Sequence, residues 1–107
     1  MRVCSAFDAV SSAVSLQSHT DLGPDAVAQS AVAGNARLAL LGGGLYLLSR
    51  LDVGTPTNLA DAVRSFAGDL QDIGMYALAE VPNGEPNQAA RLVHADQVRR
   101  QIVSLCK

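Results

Sequence analysis

The strongest constraint on this chain is the spacing of its apolar residues, which recur every three or four positions through four separate segments. That period matches the turn of an α-helix, and no segment alternates with period two for long enough to make a strand. The first segment runs from about Val3 to Ser18, with Val3, Phe7, Val10 and Val14 on one face and Ser11, Ser12 and Ser15 largely elsewhere. His19 to Gly23 read as a loop, and Pro24 and Asp25 open a second helix, because the first turn needs no donor from proline and favours an acidic side chain. Along that helix Val27, Ala31, Gly34, Leu38, Leu41, Leu45 and Leu48 form a continuous seam, which is expected to face the core. Gly42, Gly43 and Gly44 interrupt it; each costs about 1 kcal/mol in a helix interior, so the helix is expected to bend or break there.

Asp52, Val53 and Gly54 make the next turn, and Thr55-Pro56 reads as N-cap and first helical residue of a third helix. Its inward face is Leu59, Val63, Phe66, Leu70, Ile73 and Ala77. The run from Pro82 to Pro86 breaks the pattern. A fourth helix follows from about Pro86 to Leu105, with Leu92, Ala95, Val98, Ile102 and Leu105 inward and Asp96 paired with Arg100 on the surface. The connections are roughly five residues each, a length that suits antiparallel neighbours. The expected fold is therefore all-α: an antiparallel up-down-up-down four-helix bundle forming one domain over residues 1–107.

That topology puts the start of the first helix beside the end of the last. Cys4 and Cys106 lie at those two ends, so a disulfide between them is expected. It would close a loop of ~100 residues and stabilise by up to about 4.7 kcal/mol in the chain-entropy description. The core has reason to need it. Its apolar residues are mostly Ala, Leu and Val, with two Phe and no Trp, so each buries little area. A disulfide implies an oxidising compartment. No signal peptide is visible after Met1, which leaves a cytosolic chain or a domain whose export signal lies outside this sequence.

Composition and spacing exclude several chemistries. A formal charge of −2 with scattered basic residues does not suit nucleic acid. The uncharged stretch from Leu38 to Ser49 falls well short of the ~20 residues of a membrane span. Zinc lacks ligands, since His19 and His94 are the only soft donors besides the cysteines, and two glutamates are too few for a di-metal carboxylate site. The glycine triplet lacks the lysine of a phosphate loop. The serine cluster has no base near it in sequence. Asp61, Asp69 and Asp72 read as a solvated face, and His94 as a surface histidine. No metal, cofactor or catalytic residue is expected.

The stretches Val3–Asp8, Asn35–Gly44, Leu70–Met75 and Leu105–Lys107, which include both cysteines, resemble a family of actinobacterial (mycobacterial-type) Ala/Pro-rich membrane proteins. In that family a cytoplasmic tail and one membrane span precede a short helical domain outside the membrane. The resemblance implies that Met1 is not the native start and that the native chain is tethered to the cell envelope. It implies a location rather than an activity. The expected function is a non-enzymatic extracytoplasmic interaction domain with an unidentified envelope partner, a homodimer being one arrangement that the helix-two seam would serve. The alternative is a carrier of a small apolar, lipid-like ligand, with Ala31, Gly34, Gly43, Phe66 and Tyr76 as candidate walls.

Overall fold

The computed structural model describes residues 2–19 and 26–107, with the side chains of 2–15 and 34–107. Four helices make up the fold: α1 (Arg2–His19), α2 (Ala26–Ser49), α3 (Thr57–Leu78) and α4 (Pro86–Leu105). Helices adjacent in sequence pack against one another, α1 on α2, α2 on α3 and α3 on α4. Contacts run in opposite order along α2 and α3, with Gly44 against Ala67 and Gln71 while Leu41 lies against Gly74. They also do so along α3 and α4, where Gln88 meets Ile73 and His94 meets Asp69. Among the described residues α1 and α4 make no close backbone approach along their lengths. Cys4 and Cys106 join them covalently, with Cα atoms 5.8 Å apart. The loop expected at His19–Gly23 and the helix start at Pro24 lie largely outside the described residues, His19 itself closing α1.

The core is a single apolar cluster. Val3, Phe7 and Val10 enter from α1, and Leu59, Val63, Phe66, Leu70 and Ile73 from α3. Ala95, Val98 and Ile102 enter from α4, and the cysteines are half-buried against the same cluster. At its centre the rings of Phe7 and Phe66 meet at 5.6 Å, tilted by 60°, an arrangement aromatic quadrupoles favour. These faces of α1, α3 and α4 are the ones their spacing predicts.

Helix α2 departs from its expected orientation. Leu47 is fully buried, and Leu40 and Leu51 pack against the core, so with Gly44 the inner positions run 40, 44, 47, 51. Leu38, Leu45 and Leu48 of the expected seam are exposed instead, and Leu41 is half-buried. The glycines decide the choice. A Cβ on Gly43 would stand 2.8 Å from Val10 Cγ1, and one on Gly44 2.8 Å from the Ala67 carbonyl oxygen. Their missing side chains let α1 and α3 come close, and that approach turns Leu40 and Leu47 inward. The triplet does not break the helix, which is continuous through all three residues. Packing gained on two neighbours offsets what the glycines cost in helix propensity.

The ends of α3 also differ in detail. Thr55 is not its N-cap: the cap is Pro56, with no side-chain hydrogen bond. The Asp52 carboxylate organises the preceding turn, accepting from the Gly54 N–H at 2.9 Å and the Thr55 hydroxyl at 3.3 Å. The Thr55 hydroxyl is therefore spent inside the turn. At the other end Glu80 takes a positive φ of 65°, and the N–H groups of Glu80 and Val81 return to the carbonyls of Ala77 and Tyr76. This is a Schellman stop with glutamate where glycine is usual.

The glycines give opposite expectations within one turn. Gly44→Ala forces a Cβ against the Ala67 backbone and should destabilise by about 1–3 kcal/mol before a propensity gain of ~1 kcal/mol. Gly42→Ala meets nothing within 4 Å and should stabilise by about 0.5–1 kcal/mol. Urea unfolding at low micromolar protein reads both; equal effects would contradict the packing of α2.

Candidate functional site

The expected ligand walls are scattered. Phe66 is buried with its ring on Phe7, and Gly43 sits where α1 touches α2. Gly34 is exposed with open space around it, and Ala31 lies outside the residues whose side chains are described. Tyr76 is exposed and covered on one face by the Arg91 guanidinium, 3.8 Å from the ring centroid. Among the described candidates, Gly43 alone lines the groove described next.

That groove lies between α1 and α2, has a volume of about 330 Å³ and is open to solvent. Ala9, Val10 and Ala13 form one wall. Leu38, Ala39, Gly42, Gly43 and Tyr46 form the other. It is the flank of a larger feature, the outward side of α2. Leu38 is 69% exposed and Leu45 61%, and Tyr46 and Leu48 flank them with large exposed areas of their own. The Arg50 guanidinium stands over the Tyr46 ring at 4.6 Å and marks where the apolar stretch ends. No charged residue lies between Arg37 and Arg50, so the helix is apolar on the water side as well as the core side. An amphipathic helix would place its charges there. Exposed leucines are ordinary singly; a row of them along one helix face is the mark of a contact surface.

A second, polar seam joins α3 to α4. His94 Nδ1 lies 2.6 Å from Asp69 Oδ2, and the Asp69 carboxylate is only 17% exposed. Asp69 is thus a partnered, half-buried group, not part of a solvated face, and His94 is not a lone surface histidine. Gln88 is fully buried: its side-chain amide donates to the Ile73 carbonyl at 3.0 Å and accepts from Arg91 at 2.9 Å. That bond holds Arg91 where it can cover Tyr76. Asp96 takes both Arg99 and Arg100, at 3.0 and 2.7 Å, on an exposed face where such pairs contribute little. Among the described residues no group of three or more His, Cys, Asp or Glu could hold a metal ion. Among them, too, no helix is long and apolar enough to cross a membrane.

Glu85 caps α4. Its carboxylate accepts from the N–H groups of Gln88 and Asn87 at 2.9 and 3.1 Å, with Pro86 at the first helical position. The bond from Gln88 does most, and that from Asn87 next, to hold the carboxyl below its ordinary value. The motif was open to reading: a carboxylate immediately before a helix-opening proline is a cap signal. Gln88 and the Asp69–His94 pair had no such signal, since both depend on the register between α3 and α4.

No family model, curated protein or solved structure matches this chain.

Because the folded carboxyl of Glu85 titrates below its unfolded value, its contribution is full above the unfolded value and is lost as pH falls through the folded one. Glu85→Ala should therefore lower the melting temperature at neutral pH, and the gap from the parent should close as the solution is acidified past the usual carboxylate range. A gap that stays constant from neutral to strongly acidic pH would rule out the charged cap.

Proposed function

We propose that this chain is a non-enzymatic, extracytoplasmic interaction domain of a membrane-anchored cell-envelope protein, and that the outward face of α2 is its contact surface. The observation that carries this is the row of exposed apolar side chains on α2, Leu38, Leu45 and Leu48 with Tyr46 beside them, on a molecule whose core is otherwise packed. Surface of that kind lowers solubility and is retained where a partner covers it. The Cys4–Cys106 disulfide supports an oxidising compartment, because reducing cytosol keeps such thiols free. The envelope tether follows from the resemblance to single-span membrane proteins.

The groove between α1 and α2 supports a second reading, a site for a small apolar ligand. Its volume and apolar walls suit an acyl chain segment, although its openness would leave much of such a ligand in water. Native mass spectrometry of protein recovered from its own host separates the two, since a carrier retains lipid-sized adducts after washing.

The test of the leading reading is a photo-crosslinking side chain at position 38 or 45, activated in the intact envelope of the native host. Position 97 on the polar face of α4 serves as control. Adducts from 38 and 45 but not from 97 are expected. No adduct from either α2 position would overturn the assignment of the face.

A further inference from the structure

The connection between α3 and α4 carries a reactive pair. Asn83 and Gly84 occupy the two central positions of a turn closed by one hydrogen bond, from the Glu85 N–H to the Pro82 carbonyl at 3.0 Å. Both residues are exposed, and a Cβ built on Gly84 would meet nothing within 4 Å. Among the described residues the Gly84 N–H donates to no protein group, and the Asn83 side-chain amide has no hydrogen-bond partner.

Those are the conditions under which the next backbone nitrogen attacks an asparagine side chain. The nitrogen must lose its proton and reach the side-chain carbonyl carbon, which takes a swing of the backbone. Glycine puts no side chain in the way and turns with little resistance. An exposed turn held by one bond opens at small cost in free energy. The other three asparagines of the chain do not meet these conditions. Asn35, Asn58 and Asn87 lie within α2, α3 and α4, where the helix fixes the backbone dihedrals. Each is followed by a residue that carries a side chain, Ala36, Leu59 and Gln88. Leu59 and Gln88 are also fully buried, and the Gln88 N–H is held by the Glu85 carboxylate at 2.9 Å.

We infer that Asn83 is a site of spontaneous, non-enzymatic deamidation in the folded chain. A base from solvent takes the Gly84 amide proton, and the nitrogen bonds to Asn83 Cγ. The Cγ–Nδ2 bond breaks, and ammonia leaves with a proton from water. A five-membered succinimide then joins residues 83 and 84. Water opens the ring at either carbonyl. Cleavage at Cγ leaves aspartate in the ordinary chain; cleavage at the main-chain carbonyl leaves isoaspartate, with the chain routed through Cβ and Cγ. Water is the sole co-reactant, and nothing is oxidised or reduced. Either product carries a carboxylate where the amide was neutral, in a segment that already holds Glu80 and Glu85. The isoaspartate form also lengthens the main chain inside the turn that brings Glu85 to the start of α4. The modification therefore yields charge-shifted forms of the chain, the isoaspartate form with a weakened α4 cap.

The test is incubation of the folded, disulfide-intact chain in mildly alkaline buffer at physiological temperature. Tandem mass spectrometry of its peptides locates the conversion, and labelling by isoaspartyl methyltransferase reads the isoaspartate. The mass increment of an amide-to-acid conversion should appear at position 83 and not at 35, 58 or 87, with isoaspartate the larger product. Gly84→Ala fits the open space at that position. It should slow the conversion by at least about tenfold, because a side chain there hinders the attacking nitrogen. The separated isoaspartate form should melt below the parent. An intact position 83, after the time in which the guanidinium-unfolded chain has converted there, overturns the inference. So does conversion spread evenly over the four asparagines, or a Gly84→Ala chain that converts as fast as the parent. An isoaspartate form that melts with the parent overturns the link to the α4 cap.

Discussion

The bond between Cys4 and Cys106 fixes what the apolar packing leaves open. Three pairs of successive helices come close along their backbones, but among the described residues α1 and α4 make no such backbone approach along their lengths. The first turn of α1 is tied to the end of α4 by sulfur, and Val3 and Ile102, one residue before Cys4 and four before Cys106, are among the most buried side chains of the molecule. A core of small aliphatic residues buries limited area per residue, so removing entropy from the unfolded chain is an effective way to stabilise it. The pairing leaves no free thiol, since the chain has no other cysteine.

With that end closed, α2 packs between α1 and α3, and its glycines set how. Gly43 admits Val10, Gly44 admits the backbone of Ala67, and Gly74 on α3 admits Leu41 and Leu40 from the opposite side. Close approach at these points turns one leucine row inward and leaves the other in water. A helix with only one apolar face would have given the same packing without it, so the outer row calls for an explanation outside the monomer.

Sequence periodicity revealed α1, α3 and α4 with their buried faces, because on each of them polar residues mark the solvent side: Asp8, Ser12 and Ser15 on α1, Asp61, Arg64 and Asp72 on α3, Gln97 and Arg100 on α4. On α2 no charged residue stands between Arg37 and Arg50 and Ser49 marks only the end of that stretch, so more than one leucine row fits the helical period. Only the demand for close contact at Gly43 and Gly44 distinguishes them, and that demand comes from neighbours distant in sequence. The Phe66 and Tyr76 assignments failed to meet in one site for a related reason. Phe66 meets Phe7 of α1 and Tyr76 meets Arg91 of α4, nearly three turns apart along α3. The end-to-end disulfide was legible because the expected up-down-up-down order puts the two chain ends together and a cysteine lies at each of them.

The functional reading depends on the folded shape, and the folded shape depends on the staple. The most direct measurement is thermal unfolding of the chain, followed by far-UV circular dichroism, with the disulfide intact and after Cys4→Ser and Cys106→Ser substitution. A loop of 102 residues predicts a loss of up to about 4.7 kcal/mol, which for a domain of this size lowers the midpoint by on the order of 15 °C or more. A large drop with helicity retained at low temperature fits a bundle closed by sulfur. Coincident melting curves would contradict it and would mean that packing alone holds α1 in place.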